Sequence, residues 1–111
     1  MIEKVIYDYL STYLDIPVYM EIPKAPPTTF VVIEKTSAGR SNYINSSTLA
    51  IQSYSDTLFN TATLSDRVKE LMYNSIMLDA IARCDLNSEY NYTDTQMKKY
   101  RYQAVFDLTH Y

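Results

Sequence analysis

Residues 100–109 place the tightest limit on the fold, because Tyr100, Tyr102, Ala104, Phe106 and Leu108 alternate there with Arg101, Gln103, Val105, Asp107 and Thr109. Successive side chains of an extended strand point to opposite faces, so this period of two makes one face mostly apolar and the other mostly polar. Such a strand belongs to a sheet with one face on a core and the other in water. Something apolar must cover the first face, and amphipathic helices are the usual cover.

Two segments have the required helical period. In residues 2–14, Ile2, Val5, Ile6, Tyr9, Leu10, Tyr13 and Leu14 form one stripe, with Glu3, Lys4, Asp8, Ser11 and Thr12 on the other side. Pro17 cannot continue this helix, because it lacks the N–H and restricts the residue before it. The second helix is expected over about 64–78, with Leu64, Val68, Leu71, Met72 and Ser75 along one side and Thr63 with Asp66 as a capping box. A start near Ser55 is the alternative, since SDTLF carries capping residues of its own.

Strands fill the spaces between. VYMEI at 18–22 reads as a short strand near an edge, because PKAPP follows it. FVVIEK at 30–35 opens with an unbroken apolar run that suits an inner position, and STLAIQSY at 47–54 sets Leu49 and Ile51 opposite Ala50, Gln52 and Tyr54. Between these two, residues 36–46 are expected to form a polar, mobile loop, with Gly39, the chain's only glycine, at a turn. Two further strands are expected over about 82–92 and 99–110. The expected fold is therefore a single α/β (α+β) domain over residues 1–111, in the order α-β-β-β-α-β-β, with an antiparallel-dominated sheet and both helices on one face. Ile6, Leu10, Phe30, Val32, Ile51, Val68, Leu71 and Phe106 are its expected core.

Composition narrows the chemistry. Ten basic and thirteen acidic residues leave a formal charge of −3, which opposes a general affinity for phosphate backbones and gives no support to sequence-specific nucleic-acid binding. A single glycine cannot build a glycine-rich phosphate loop. Cys84 and His110 are the only residues of their kinds, so neither an internal disulfide nor a structural zinc site of Cys and His is available. Next to the last residue, His110 is expected to be exposed and poorly placed as a general base, and Cys84 is expected to act as a small core hydrophobe. The carboxylates Asp79, Asp85, Glu89 and Asp94 lack the spacing of a calcium loop. No catalytic, cofactor-binding or metal-binding residues are assigned, and the chain is expected not to be an enzyme. MIEKVIYDYL mixes charges with apolar residues, unlike a secretion signal, and no stretch has the length of a membrane span.

Twelve tyrosines stand beside three phenylalanines and no tryptophan. Tyrosine combines an apolar face with a hydroxyl and suits both half-solvated sheets and protein interfaces. Lys98, Lys99 and Arg101 surround Tyr100 where the last strand begins, a basic and aromatic cluster that suits a solvated strand end or a protein contact.

With these elements placed, the chain resembles the tail-completion, or tail-terminator, proteins of long-tailed bacteriophages. The likeness rests on the N-terminal amphipathic helix, on VYMEIPKAPPTTFVVIEK with its proline-bearing turn, on LAIQSYSDT at 49–57 and on YRYQAVFDLTHY at 100–111. Gln52, Tyr54 and Asp56 match the family's strand-to-helix passage, and Tyr100, Tyr102 and Phe106 its closing strand. The resemblance implies a cofactor-free structural subunit that caps the tail tube as a ring, typically a hexamer. Its partners would be further copies of itself, the major tail tube protein and the head connector protein, with no membrane partner. It would be made in the host cytoplasm and then reside in the virion tail or neck. A head-completion or adaptor protein of the neck and a non-viral protein-binding module are the alternatives. Arg40, Tyr43, Lys98 and Lys99 are the expected interface residues.

Overall fold

The computed structural model describes residues 1–41, 44–93 and 99–111. The elements run α1 (Ile2–Tyr13), β1 (Val18–Tyr19), β2 (Phe30–Ser41), β3 (Ile44–Ser55), α2 (Leu58–Tyr73), a 3-10 turn (Asn74–Met77), β4 (Ile81–Asn91) and β5 (Tyr100–His110). This is the expected α+β fold, with two helices and a mixed, mainly antiparallel sheet of order β1-β2-β3-β5-β4.

Both helices cover one face of that sheet. Ile2, Ile6, Tyr9 and Leu10 of α1 and Val68, Leu71 and Met72 of α2 share a core with Val31, Ile33, Leu49, Ile51, Ala104, Phe106 and Leu108 from alternate positions of β2, β3 and β5. The Tyr9 hydroxyl donates to the Leu71 carbonyl at 2.6 Å and ties the helices together. Burial pushes the pKa of this phenol up, so the proton that makes the bond is held tightly. Phe30 and Val32 are buried as expected, but on the opposite face, in a small second cluster with Tyr54 and the partly buried Tyr19.

Four local expectations change. The first strand is only Val18–Tyr19 and runs parallel to β2, pairing Val18 with Val31 and Tyr19 with Val32, whereas the meander reading implied antiparallel pairing. The Pro17 carbonyl receives the Val31 N–H at 3.0 Å, and the proline-rich segment after β1 carries the chain back to start β2 in the same direction.

Residues 36–41 and 44–46 belong to strands, not to a loop. Ser37 pairs with Thr48, Ala38 with Ser47, Gly39 with Ser46 and Arg40 with Asn45. The same stretch of β3 pairs on its other side with β5, from Asn45 opposite His110 to Thr48 opposite Asp107. A ladder partner already held in the sheet templates β2 here, so the strand continues without apolar residues of its own.

The second helix begins at Leu58, six residues before Leu64 and in keeping with the alternative start at SDTLF, and ends at Tyr73. Its cap is Thr57, with extended backbone at φ −135° and ψ 160°, whose Oγ1 accepts the Asn60 N–H at 3.0 Å. Thr63 lies inside the helix and donates to the Phe59 carbonyl instead of capping. The buried stripe of the first half is Thr61 and Ser65, two small polar residues facing the sheet. Thr61 Oγ1 is satisfied by the Thr57 carbonyl at 2.6 Å.

Finally, His110 is held in β5, half-buried, with Nε2 2.8 Å from Ser47 Oγ. Pairing with β3 on one side and β4 on the other fixes this end of the chain.

Candidate interaction surface

Because both helices lie on one face, the other face of the sheet is left to its own side chains. Register sorts them into rows across the strands. Val32, Gln52, Gln103 and Tyr90 form one row, and Phe30, Tyr54 and Arg101 form the next. Tyr92, just beyond β4, closes the second row through its N–H to the Arg101 carbonyl at 2.8 Å.

A directed chain of hydrogen bonds links these rows. Arg101 Nη1 donates to Tyr54 Oη at 3.1 Å, and Tyr54 Oη donates to Gln52 Oε1 at 3.1 Å. Gln52 Nε2 donates to Gln103 Oε1 at 3.0 Å, and Gln103 Nε2 donates to Tyr90 Oη at 2.6 Å. Every bond points the same way, from a cation to a phenol, so each polarises the next. The chain ends at the exposed Tyr90, whose hydroxyl accepts within the molecule and keeps its proton to donate outward.

Packing stiffens the same side chains. The Phe30 and Tyr54 rings stack with centroids 4.4 Å apart and 5° between planes. The Arg101 guanidinium carbon lies 4.2 Å from the Tyr92 ring centroid, within cation–π range, and Tyr90 meets Tyr92 edge-on at 5.7 Å. Tyr90 and Tyr92 are 41% and 50% exposed, so the surface offers flat aromatic area that has already lost its rotamer freedom. That lowers the entropy cost of binding a partner.

Further along this face Asp85 stands opposite Asp107 on neighbouring strands, a like-charge pair. Asp107 accepts from Thr48 Oγ1 at 2.8 Å and Asn87 Nδ2 at 2.9 Å, while Asp85 is paired with Arg83 at 2.6 Å. These local donors offset the repulsion.

Beside the Phe30–Tyr54–Arg101 row a groove of about 470 Å³ opens between Ile22, Pro26 and Pro27 of the proline-rich segment and Asp56 and Lys99. Asp56 Oδ1 accepts from Asn60 Nδ2 at 2.9 Å and Ser55 Oγ at 3.2 Å. These two bonds, Asn60's foremost, hold the Asp56 pKa below the usual carboxylate range.

Of the expected interface residues, Lys99 is exposed and lines this groove. Arg40 is exposed near the far end of β2, opposite Asn45. Along β3, Asn45 and Ser55 mark those two ends, ten residues apart, or roughly 33 Å at about 3.3 Å per residue. The fold therefore does not bring Arg40 and Lys99 together. Tyr43 and Lys98 lie outside the described residues. Composition and spacing drew attention to the basic cluster but missed the partners of Arg101, because Tyr54 and Tyr92 reach it only through strand register.

The groups weighed for chemistry are placed as follows. Cys84 packs partly buried against the helix-side core, and burial pushes its pKa up, so the thiolate is disfavoured. Glu89, on the helix side of β4, accepts from Ser65 Oγ at 2.6 Å and Lys69 Nζ at 2.9 Å. The bond to Glu89 is the main cause of a raised Lys69 pKa. No group of three or more His, Cys, Asp and Glu side chains converges on a metal-sized site among the described residues, and no helix there is long and apolar enough to cross a membrane. In comparisons with known proteins, neither a family model nor a curated protein matches the chain.

Proposed function

We propose that this protein is a structural joining subunit that forms a ring of six copies at the end of a long-tailed bacteriophage tail. There it caps the tail tube and meets the head connector. The observation that carries a binding role is the open sheet face, where Tyr90, Tyr92, Gln52, Gln103 and Arg101 are locked around the buried Tyr54 by one hydrogen-bond chain and a cation–π contact into an aromatic and amide surface. Aromatic and Arg side chains with little entropy left to lose are the usual anchors of protein interfaces. The place on a phage tail comes from the resemblance of residues 18–35, 49–57 and 100–111 to tail-terminator proteins. Exposed charges at opposite ends of the sheet, Arg40 and Lys99, suit a subunit held between two unlike neighbours and orient it more than they bind it.

The test is to replace Tyr90 and Tyr92 together by Ser and measure joining of heads to tails in a complementation assay. Both side chains are about half exposed and lie outside the buried core, so the fold survives and joining is lost. A Tyr111→Ser variant, altered at an exposed tyrosine away from this face, joins normally. Normal joining by the folded double variant overturns the assignment of this face.

A further inference from the structure

The helical layer carries a second surface, at the two ends of α2. On its first turn Phe59 is 78% exposed, beside the partly exposed Leu58, while the buried side of the helix begins at Thr61. A phenylalanine standing in water gains nothing for the monomer, and an exposed apolar group of this size on a rigid helix is informative. At the other end Tyr13, Ile76 and Met77, all about half exposed, line a groove of about 620 Å³ with Leu71, between α1 and the end of α2. Tyr9 lies in it, fixed by its bond to the Leu71 carbonyl. The unbranched Met77 thioether adapts readily around an inserted ring.

The same layer carries charges of both signs. Asp56 precedes the helix on the Phe59 side and, like any exposed carboxylate, is negatively charged at neutral pH; its bonds to Asn60 and Ser55 lower its pKa further. Arg67, near the middle of α2, forms a wall of this groove and of the neighbouring one that Asp56 borders, and its single hydrogen bond among the described residues is a long one of 3.5 Å to the Tyr13 carbonyl. From Phe59 to Leu71 is twelve residues of one helix, about 18 Å at 1.5 Å per residue, so the projecting ring cannot reach the groove of its own chain. We propose that copies of this chain join head to tail, with Phe59 of one copy seated in the Tyr13–Ile76–Met77 groove of the next and Asp56 paired across the contact with Arg67.

The contact joins two different patches, so repetition either closes a ring or extends a filament. One aromatic anchor and one rim ion pair make a weak interface, which keeps the free chain largely monomeric and becomes effective when neighbours are held at high local concentration. The inference rests on the reading of the protein as a self-assembling subunit, and it leaves the open sheet face to unlike partners.

The experiment mixes full-length Phe59→Cys and Met77→Cys proteins, both with Cys84→Ser, at millimolar concentration under mild oxidation. Disulfide-linked heterodimers form well above the level given by Phe59→Cys with an Arg83→Cys control on the open face. Carried on one chain, the two cysteines give a ladder of oligomers. Asp56→Arg or Arg67→Asp alone lowers the yield about tenfold, equivalent to about 1.4 kcal/mol, and combining the two restores it. Cross-linking no better than the control overturns the proposal, as does indifference to both reversals in proteins with unchanged thermal unfolding. If purified tails protect the thiol of the Phe59→Cys protein from alkylation yet give no 59–77 bond, residue 59 is covered by another protein and the proposal fails. A ring seen on tails without 59–77 bonds leaves the ring standing and removes this contact. The ladder with only one copy on each tail keeps the contact and removes the ring.

Discussion

Truncating Leu10 and Leu71 to Ala separates a fully enclosed site from one beside open space. Leu10, 0% exposed, sits where α1 meets the sheet, so its loss removes about 1.5–3 kcal/mol of transfer energy and leaves a closed cavity besides. A total of about 3–5 kcal/mol is expected for Leu10→Ala. Leu71 is 7% exposed and lines the groove by Tyr13 and Met77, where neighbours or water can occupy the vacated volume. The cost of Leu71→Ala is therefore nearer the lower end, about 2–3 kcal/mol. Domains of this size are stable by about 5–15 kcal/mol, so Leu71→Ala stays folded and Leu10→Ala does so wherever the parent stability exceeds about 5 kcal/mol. Urea unfolding followed by circular dichroism is the assay. With a slope of about 2 kcal/mol per molar, a 4 kcal/mol loss lowers the midpoint by roughly 2 M without changing the slope. Neutral results for both variants would refute the placing of the two helices on one face. A Leu71→Ala loss larger than that of Leu10→Ala would refute the argument from enclosure.

Thr57→Ala should destabilise the protein by about 0.5–2 kcal/mol, whereas Thr63→Ala should change it by less than about 0.5 kcal/mol, since only Thr57 caps the helix; urea midpoints of the two decide, and the reverse order contradicts the observed start of α2. Cys84, desolvated with its pKa pushed up, should react with iodoacetamide at about pH 8 much more slowly than a free thiol and should speed up on unfolding; equal rates in the folded and unfolded protein contradict its burial.

The elements whose apolar residues repeat at a clean period were legible in the sequence. The alternation of Tyr102, Ala104, Phe106 and Leu108 gave β5 its face, and Ile2, Ile6, Tyr9 and Leu10 gave α1 its stripe. The first half of α2 was legible only through the capping residues of SDTLF and not as a stripe, because the residues facing the sheet, Thr61 and Ser65, are polar and pack by being small. The arm of β2 from Thr36 to Ser41 was hidden for the opposite reason: it is exposed and is a strand only because β3 pairs with it. The direction of β1 depends on where Pro17 meets Val31, a contact between segments that no local pattern encodes.

The candidate surface shows the same division. Gln52, Tyr54 and Arg101 were visible as polar or aromatic members of alternating strands, but their network depends on a register spanning β3, β5 and β4. Phe59 could not be told from a core residue until the helix was placed, because a phenylalanine in an apolar–polar mixture reads as buried. Electrostatic details follow fold as well, and the raised Lys69 pKa exists only because β4 brings Glu89 to α2.

The central claim is that this chain works as a ring of identical copies at the tail end, and imaging of purified tails carrying the protein tests it most directly. The account predicts a closed ring, six copies in the arrangement typical of the resembled family, with each copy's open sheet face, around Tyr90 and Tyr92, turned toward a different protein. A single copy at the tail end, or tails that carry none while heads carry it, would contradict the claim.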